Sequence, residues 1–168
     1  MSTENSIGWF LGFRLGAQLR APMTAMIRQW YERAALIDSS AVIALHNPIE
    51  QFHADAVSFY SNSNDIVWCT LDVTAHEVFT RVRYGSSVGK ALEHFDFLRG
   101  SHGVRLYRFE PDDEKEARDI LTRYSDHAIS YHDALCAAAM KRLGILRIFT
   151  FDSDFAVMGF EVFPGPAG

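Results

Sequence analysis

The sequence predicts an α/β fold, a Rossmann-like parallel sheet of four to five strands flanked by helices. From Ala34 onward, short apolar runs alternate with longer amphipathic stretches, which is the pattern of successive strand–helix–strand units. The chain has 168 residues, of which 48% are hydrophobic, so it can bury one core but is too short for two. No internal repeat or low-complexity tract breaks the alternation. We therefore expect one domain over residues 34–168.

Five short apolar runs predict the strands of this sheet. They cover residues 34–38, 65–69, 104–109, 145–151 and 160–163. Between them, apolar residues recur at helical spacing over residues 49–60, 71–82 and 88–98, and we expect these stripes to face the core. Two further helices are predicted over residues 112–124 and 130–143, the second ended by Gly144.

Residues 1–33 differ from the rest of the chain. Glycines interrupt an aromatic-rich run there, and we interpret the segment as an N-terminal extension of unknown role. Its apolar patch over residues 7–11 is soon interrupted by Arg14, which is typical of neither a signal peptide nor a membrane span. Met23 and Met26 are alternative start positions that the sequence leaves open.

The net charge of −5 gives no basic surface of the kind that nucleic-acid-binding proteins usually carry. Any nucleic acid must therefore be held locally. Metal ions bound by carboxylates place positive charge beside a phosphate even on an acidic protein. The two cysteines, Cys69 and Cys136, lie in apolar stretches without metal-ligand spacing. We interpret them as buried thiols of a cytoplasmic protein.

Two aspartates close predicted strands. Asp38 follows one apolar run, and Asp152 ends another, with Asp154 two positions later. Because the carboxyl ends of parallel strands form the ligand-binding edge of an open sheet, both strand-terminal acids are placed to reach a site. Other interpretations stay open. Asp38 would also serve as the N-cap of the next helix, and Asp152 and Asp154 as turn residues.

Two further acids lie on predicted helices. Asp133 has the Ser-x-x-Asp spacing of a capping box with Ser130, a role compatible with projecting from the helix end toward the sheet edge. Glu77 faces away from the apolar stripe of its helix, so a solvated surface glutamate is the alternative there. Clustered carboxylates raise one another's pKa, and a divalent cation relieves their repulsion. Oxygen ligands favour Mg²⁺ or Mn²⁺ over zinc.

Four short segments carry a resemblance to a known family. They are residues 36–45 (LIDSSAVIAL), 74–78 (TAHEV), 129–135 (ISYHDAL) and 149–155 (FTFDSDF). Together they resemble the successive motifs of PIN domains, especially VapC-type toxins, and the spacing of the acids also fits that family. The resemblance covers residues 34–164.

The resemblance implies a metal-dependent endoribonuclease, with RNA as substrate and a water activated by one or two Mg²⁺ or Mn²⁺ ions. It also implies the catalytic, metal-binding acids, which would be Asp38, Glu77, Asp133 and Asp152, with Asp154 as a further metal ligand. Ser40 stands where the family has a small polar residue that supports the site. Because VapC toxins are usually neutralised by a small antitoxin protein and are often dimeric, an antitoxin and a homodimer are implied here too.

This chain departs from the family in its N-terminal extension and in His132, which stands beside the third acid. Arg81 and Arg83 follow Glu77 on the same predicted helix, so we predict that they contact the RNA backbone; a solvated face is the alternative. Two functional alternatives also stay open. One is a non-catalytic PIN-like module that binds RNA or a protein, and the other is an RNA-processing nuclease outside a toxin–antitoxin system.

Overall fold

The computed structural model of the protein describes residues 30–100 and 103–165. The chain divides between Glu32 and Arg33, and all the described strands belong to the unit that begins at Arg33. The predicted extension, residues 1–33, lies almost wholly outside the described residues, as do both alternative start positions. The extension and its unknown role therefore stay a prediction.

Within the described residues, five parallel strands form one sheet in the order β3-β2-β1-β4-β5. They are β1 (Ala34–Ile37), β2 (Val67–Leu71), β3 (Val104–Tyr107), β4 (Arg147–Phe149) and β5 (Glu161–Phe163). The chain first adds β2 and β3 on one side of β1 and then returns to add β4 and β5 on the other. Such a reversal leaves a crevice at the carboxyl ends of β1 and β4. The predicted α/β fold with a parallel sheet is confirmed.

One or two helices connect each pair of successive strands. They are α1 (Ser39–His46), α2 (His53–Asn62), α3 (Asp72–Gly85), α4 (Val88–Gly100), α5 (Pro111–Arg123), α6 (Tyr131–Leu143) and α7 (Asp154–Val157). α6 ends where the sequence predicts, at Gly144, whose φ of 68° is a left-handed conformation that favours glycine. Among the described helices, none is long and apolar enough to cross a membrane.

Two of the predicted helical stripes differ from the structure. The helix expected over residues 49–60 begins only at His53, because the residues before it form turns, and Ile49 is 90% exposed instead of packing in the core. The stripe of α4 is narrower than predicted, since Val88 and Leu92 are each 46% exposed. Periodicity identifies the apolar side of a helix, but it does not say how much of that side a neighbouring element covers.

The core surrounds β1, whose four residues are all fully buried. Burial on both faces explains the continuous apolar sequence of this strand. Aromatic rings fill part of the core, where Phe149 of β4 lies 5.0 Å from Phe59 and 5.6 Å from Trp68 between ring centroids. Cys69 and Cys136 are buried free thiols, as predicted.

Replacing Ile148 by alanine should lower the free energy of unfolding by about 2–5 kcal/mol, because its fully buried side chain in β4 leaves a cavity beside β1. The matched control is Ile49→Ala, since Ile49 is 90% exposed and its truncation should change stability by about 0.5 kcal/mol or less. Urea denaturation followed by circular dichroism measures both variants. Equal effects would contradict the central position of β4.

Candidate active site

Asp38 follows β1 and is the N-cap of α1. The residue is 2% exposed. Its Oδ2 accepts three hydrogen bonds, from Ser40 Oγ at 2.8 Å, from Thr150 Oγ1 at 2.9 Å and from Ser40 N at 3.2 Å. Its Oδ1 is buried and has no hydrogen-bond partner among the described residues. Asp38 therefore caps a helix through one oxygen and leaves the other unsatisfied.

Two hydroxyl groups hold this carboxylate and join it to the end of β4. Ser40 Oγ accepts a hydrogen bond from Phe151 N at 3.1 Å, and Thr150 Oγ1 accepts one from Asp152 N at 3.0 Å. Each hydroxyl thus donates to Asp38 and receives from the backbone that follows β4. Thr150 is a residue of the cluster that the sequence motifs do not single out. The signal that the sequence offers for Thr150 is its position two residues before Asp152.

Asp152 and Asp154 follow β4. Asp152 Oδ1 accepts a hydrogen bond from Asp154 N at 2.8 Å, so Asp152 is a turn residue, whereas Asp154 is the first residue of α7. Burial raises the pKa of the Asp152 carboxyl, and repulsion from nearby carboxylates raises it further. These carboxylates belong to Asp133, Asp154 and Asp38. Asp152 therefore shares one electrostatic environment with the other acids of the cluster.

Asp133 lies in the first turn of α6, in the capping box that the sequence predicts. Its Oδ2 accepts hydrogen bonds from Ser130 N at 3.2 Å and from Ser130 Oγ, while its own N donates to that Oγ at 3.1 Å. Burial favours the neutral carboxyl, but hydrogen bonds from His132 and Ser130 hold the pKa of Asp133 below its ordinary value. Its other oxygen, Oδ1, lies 3.3 Å from His132 Nδ1.

Glu77 reaches the same cluster from α3. Its Oε2 lies 2.8 Å from His132 Nδ1, although this buried oxygen has no well-aligned hydrogen bond. The side chain is 30% exposed, so Glu77 is not a fully solvated surface glutamate. Burial favours the neutral carboxyl here too, but the neighbouring imidazole of His132 and the hydroxyl of Ser39 hold the pKa of Glu77 below its usual range.

His132 joins two of the acids, which its place in the sequence does not reveal. Its side chain is 13% exposed, with Nδ1 toward Glu77 and Asp133. On the other side of the ring, Nε2 lies 3.2 Å from Thr74 Oγ1 and 3.5 Å from Cys136 Sγ. Burial lowers the pKa of His132, but its neighbours raise it overall. Since burial also raises the pKa of Cys136 and keeps that thiol neutral, the two carboxylates are the groups that stabilise a charged imidazole.

Arg81 lies one helical turn after Glu77, at the edge of the cluster. Its Nη1 donates a hydrogen bond to Ser39 Oγ at 3.2 Å, and Ser39 is almost fully buried at the start of α1. Arg83 is exposed and projects from another side of α3, because two helical positions differ by about 200° around the axis. The structure therefore brings Arg81, but not Arg83, to the acids.

The arrangement of these donors fits a divalent cation. One atom each of Asp38, His132 and Asp133 lies within 4.8 Å of the other two. Ligands on opposite sides of an ion with bonds of about 2.1 Å are about 4.2 Å apart, so small side-chain adjustments would bring these atoms to one ion. The unsatisfied Oδ1 of Asp38 is a buried negative atom that a cation would stabilise.

The fold and the acidic cluster at its strand ends define the class of protein. The family model described as the PIN domain matches residues 35–161, which is most of the chain. This chain belongs to the PIN domain family.

Particular relatives narrow the comparison. The 23S rRNA-specific endonuclease VapC20 of Mycobacterium tuberculosis is 29% identical over 133 residues, which cover 76% of this chain and 97% of VapC20. The crystal structure of VapC20, a toxin that cleaves the sarcin-ricin loop, superposes with a TM-score of 0.70 at 27% identity, over 75% of this chain and 95% of that one. A toxin–antitoxin complex from Klebsiella pneumoniae shares the fold, with a TM-score of 0.58 at 15% identity over 79% of this chain and 99% of that one.

Replacing Thr150 by valine should lower the free energy of unfolding by about 1–3 kcal/mol in EDTA-treated protein. Asp38 Oδ2 then loses a buried donor and Asp152 N loses its acceptor. The matched control is Thr122→Val, because this threonine is exposed on α5 and its hydroxyl donates to the carbonyl of Arg118 in the same helix. Urea denaturation measures both. If Thr150→Val costs no more than the control, the hydroxyl does not support Asp38.

Proposed function

We propose that this chain is a Mg²⁺- or Mn²⁺-dependent endoribonuclease that hydrolyses RNA phosphodiester bonds. The observation that carries the proposal is the buried Asp38 carboxylate, in a cluster that includes Asp133 and His132. Its Oδ1 has no hydrogen-bond partner in the part of the chain that the structure describes. A negative oxygen withdrawn from water destabilises the protein unless a cation binds there. Membership of the PIN domain family and the 29% identity with the endonuclease VapC20 support the same activity.

The proposed catalytic metal ligands are Asp38, Glu77, Asp133 and Asp152, with Asp154 beside them. A bound divalent ion supplies an activated water and stabilises negative charge on the phosphate. The chain's own hydroxyl groups position the acids, since Ser40 and Thr150 fix Asp38, and Ser130 fixes Asp133. No side-chain nucleophile is required, because water would add to the phosphorus as the bond from phosphorus to the leaving ribose oxygen breaks.

RNA binding is proposed at the same edge of the sheet. Because the net charge is −5, a broad basic surface does not account for phosphate binding. Local positive charge would come from the ion and from Arg81, which is held by Ser39 beside the cluster. Because VapC20 acts on 23S rRNA, ribosomal RNA is the first substrate to test.

We further propose that the chain is the toxin of a toxin–antitoxin pair, held inactive by a small antitoxin protein, and that it forms a homodimer. The similarity to VapC20, itself a toxin, supports the biological role. A small reading frame beside the gene, and co-purification of its product with this chain, would identify the antitoxin. Light scattering of the purified protein measures the oligomeric state.

Asp38→Asn and Asp133→Asn should each abolish RNA cleavage in Mg²⁺ or Mn²⁺, because each removes a charged ligand and keeps a similar shape. Glu77→Gln is the third variant, since this acid contacts the others through His132. The control is Asp126→Asn, whose side chain is 84% exposed. Cleavage of labelled 23S rRNA measures the activity of protein freed from any antitoxin, with EDTA as the metal-free reference.

Circular dichroism checks that each acid variant is folded. Full activity of the folded Asp38→Asn and Asp133→Asn proteins would overturn the ligand assignment. Cleavage that persists in EDTA would remove the metal from the mechanism. If the wild-type protein binds RNA but cleaves none with either ion, the chain is a non-catalytic RNA-binding module.

Arg81→Glu should weaken RNA binding and lower the slope of log K against log salt by about 0.7–0.9, the contribution of one phosphate contact. Arg83→Glu changes the charge equally but acts from another side of α3, so a smaller effect is expected. Fluorescence anisotropy in the Asp38→Asn background, which prevents cleavage, measures both. An unchanged salt slope in Arg81→Glu would show that this side chain does not contact a phosphate.

A further inference from the structure

The proposed metal site includes one side chain that is not an acid. A ring nitrogen of His132 belongs to the group of donor atoms from Asp38 and Asp133 that lie within 4.8 Å of one another. Nδ1 is the nitrogen on that side, because it lies 3.3 Å from Asp133 Oδ1 and 2.8 Å from Glu77 Oε2. The imidazole is therefore in direct contact with the carboxylates of the candidate site.

The surroundings of His132 determine which nitrogen is available to a metal. Nε2 lies 3.2 Å from the hydroxyl of Thr74, a fully buried residue, and 3.5 Å from Cys136 Sγ. Binding of a metal ion at Nδ1 would displace the proton of a charged imidazole. The hydrogen on Nε2 would remain and be donated to that hydroxyl, and the Nδ1 lone pair would point toward the acids. Metal-binding histidines usually donate the other ring N–H to a partner of this kind, which sets the tautomer and the orientation of the ring.

Two buried carboxylate oxygens of the cluster are left without a hydrogen bond among the described residues. Asp38 Oδ1 has no partner among the described residues, and Glu77 Oε2 has no well-aligned hydrogen bond despite its short distance to His132. Nδ1 is hydrogen-bonded to Asp133 Oδ1 at 3.3 Å, but that contact satisfies neither Asp38 Oδ1 nor Glu77 Oε2. A cation shared by the nitrogen and the carboxylates would satisfy these atoms together.

Resting on the proposed function, we propose that His132 Nδ1 is a direct ligand of the ion and that the site therefore prefers Mn²⁺ to Mg²⁺. Mg²⁺ takes oxygen ligands and dehydrates reluctantly, whereas imidazole nitrogen suits transition-metal ions. The acids alone do not distinguish the two ions, since both accept carboxylate oxygen. His132 is thus the residue that determines the choice of metal.

The test uses Mn²⁺ alone as the probe, added to the full-length protein after EDTA has been applied and removed. Electron spin echo envelope modulation of the bound Mn²⁺ should show coupling to a ligated ¹⁴N nucleus, and labelling the histidines with ¹⁵N should replace it by a ¹⁵N pattern. His132→Gln should abolish the coupling and weaken Mn²⁺ binding about tenfold or more, with a smaller change for Mg²⁺. His127→Gln is the control, because His127 pairs with Asp126 and not with a site residue.

The outcomes separate this inference from the proposed function. Bound Mn²⁺ without ¹⁴N coupling in the wild-type protein would overturn the role of His132 and leave the nuclease proposal intact. Complete absence of Mn²⁺ binding would overturn the proposed metal site and this inference with it. The isotope comparison uses the wild-type chain, so it is decisive even where His132→Gln does not fold.

Discussion

The carboxylate of Asp38 is the interaction on which the rest of the structure depends. Through Oδ2 it joins the first turn of α1 to the end of β4, by hydrogen bonds from Ser40 and Thr150. Through Oδ1 it presents a buried negative atom with no partner among the described residues. The hydrogen bonds of Oδ2 stabilise the folded protein, whereas Oδ1 destabilises it, because an unpaired buried charge raises the free energy of the folded state. Fold and site are therefore linked within one functional group.

The surroundings of the acids give them different protonation behaviour. His132 lowers the pKa of Glu77 and Asp133 against the effect of burial, so these carboxylates hold their charge. Asp152 has no such partner, and burial together with its acidic neighbours raises its pKa. The imidazole thus stabilises the charges of Glu77 and Asp133, whereas the charge of Asp152 is repelled by the neighbouring carboxylates. A cation bound in the cluster would relieve this repulsion.

The sequence predicts the sheet well because burial on both faces forces strands such as β1 to be continuously apolar. It also predicts that Asp38 and Asp152 lie beyond the carboxyl ends of two strands, because each follows an apolar run. Thr150 and His132 escape such reasoning because their importance comes from contacts distant along the chain, Thr150 lying 112 positions from Asp38. The prediction that Ile49 faces the core is wrong for a related reason. A helical period does not reveal that a turn precedes the helix at this point.

The order of the strands has a consequence for the newly made chain. β1 is the first of the described strands along the chain, yet its neighbour β4 ends at Phe149, and the hydroxyl that fixes Asp38 belongs to the next residue. A chain still in synthesis can therefore carry Asp38, Glu77 and Asp133 while the turn at Asp152 is missing. Contacts between distant segments form only when both are present. The fold therefore leaves the proposed site incomplete until synthesis has passed Asp152, although its other three acids are made earlier.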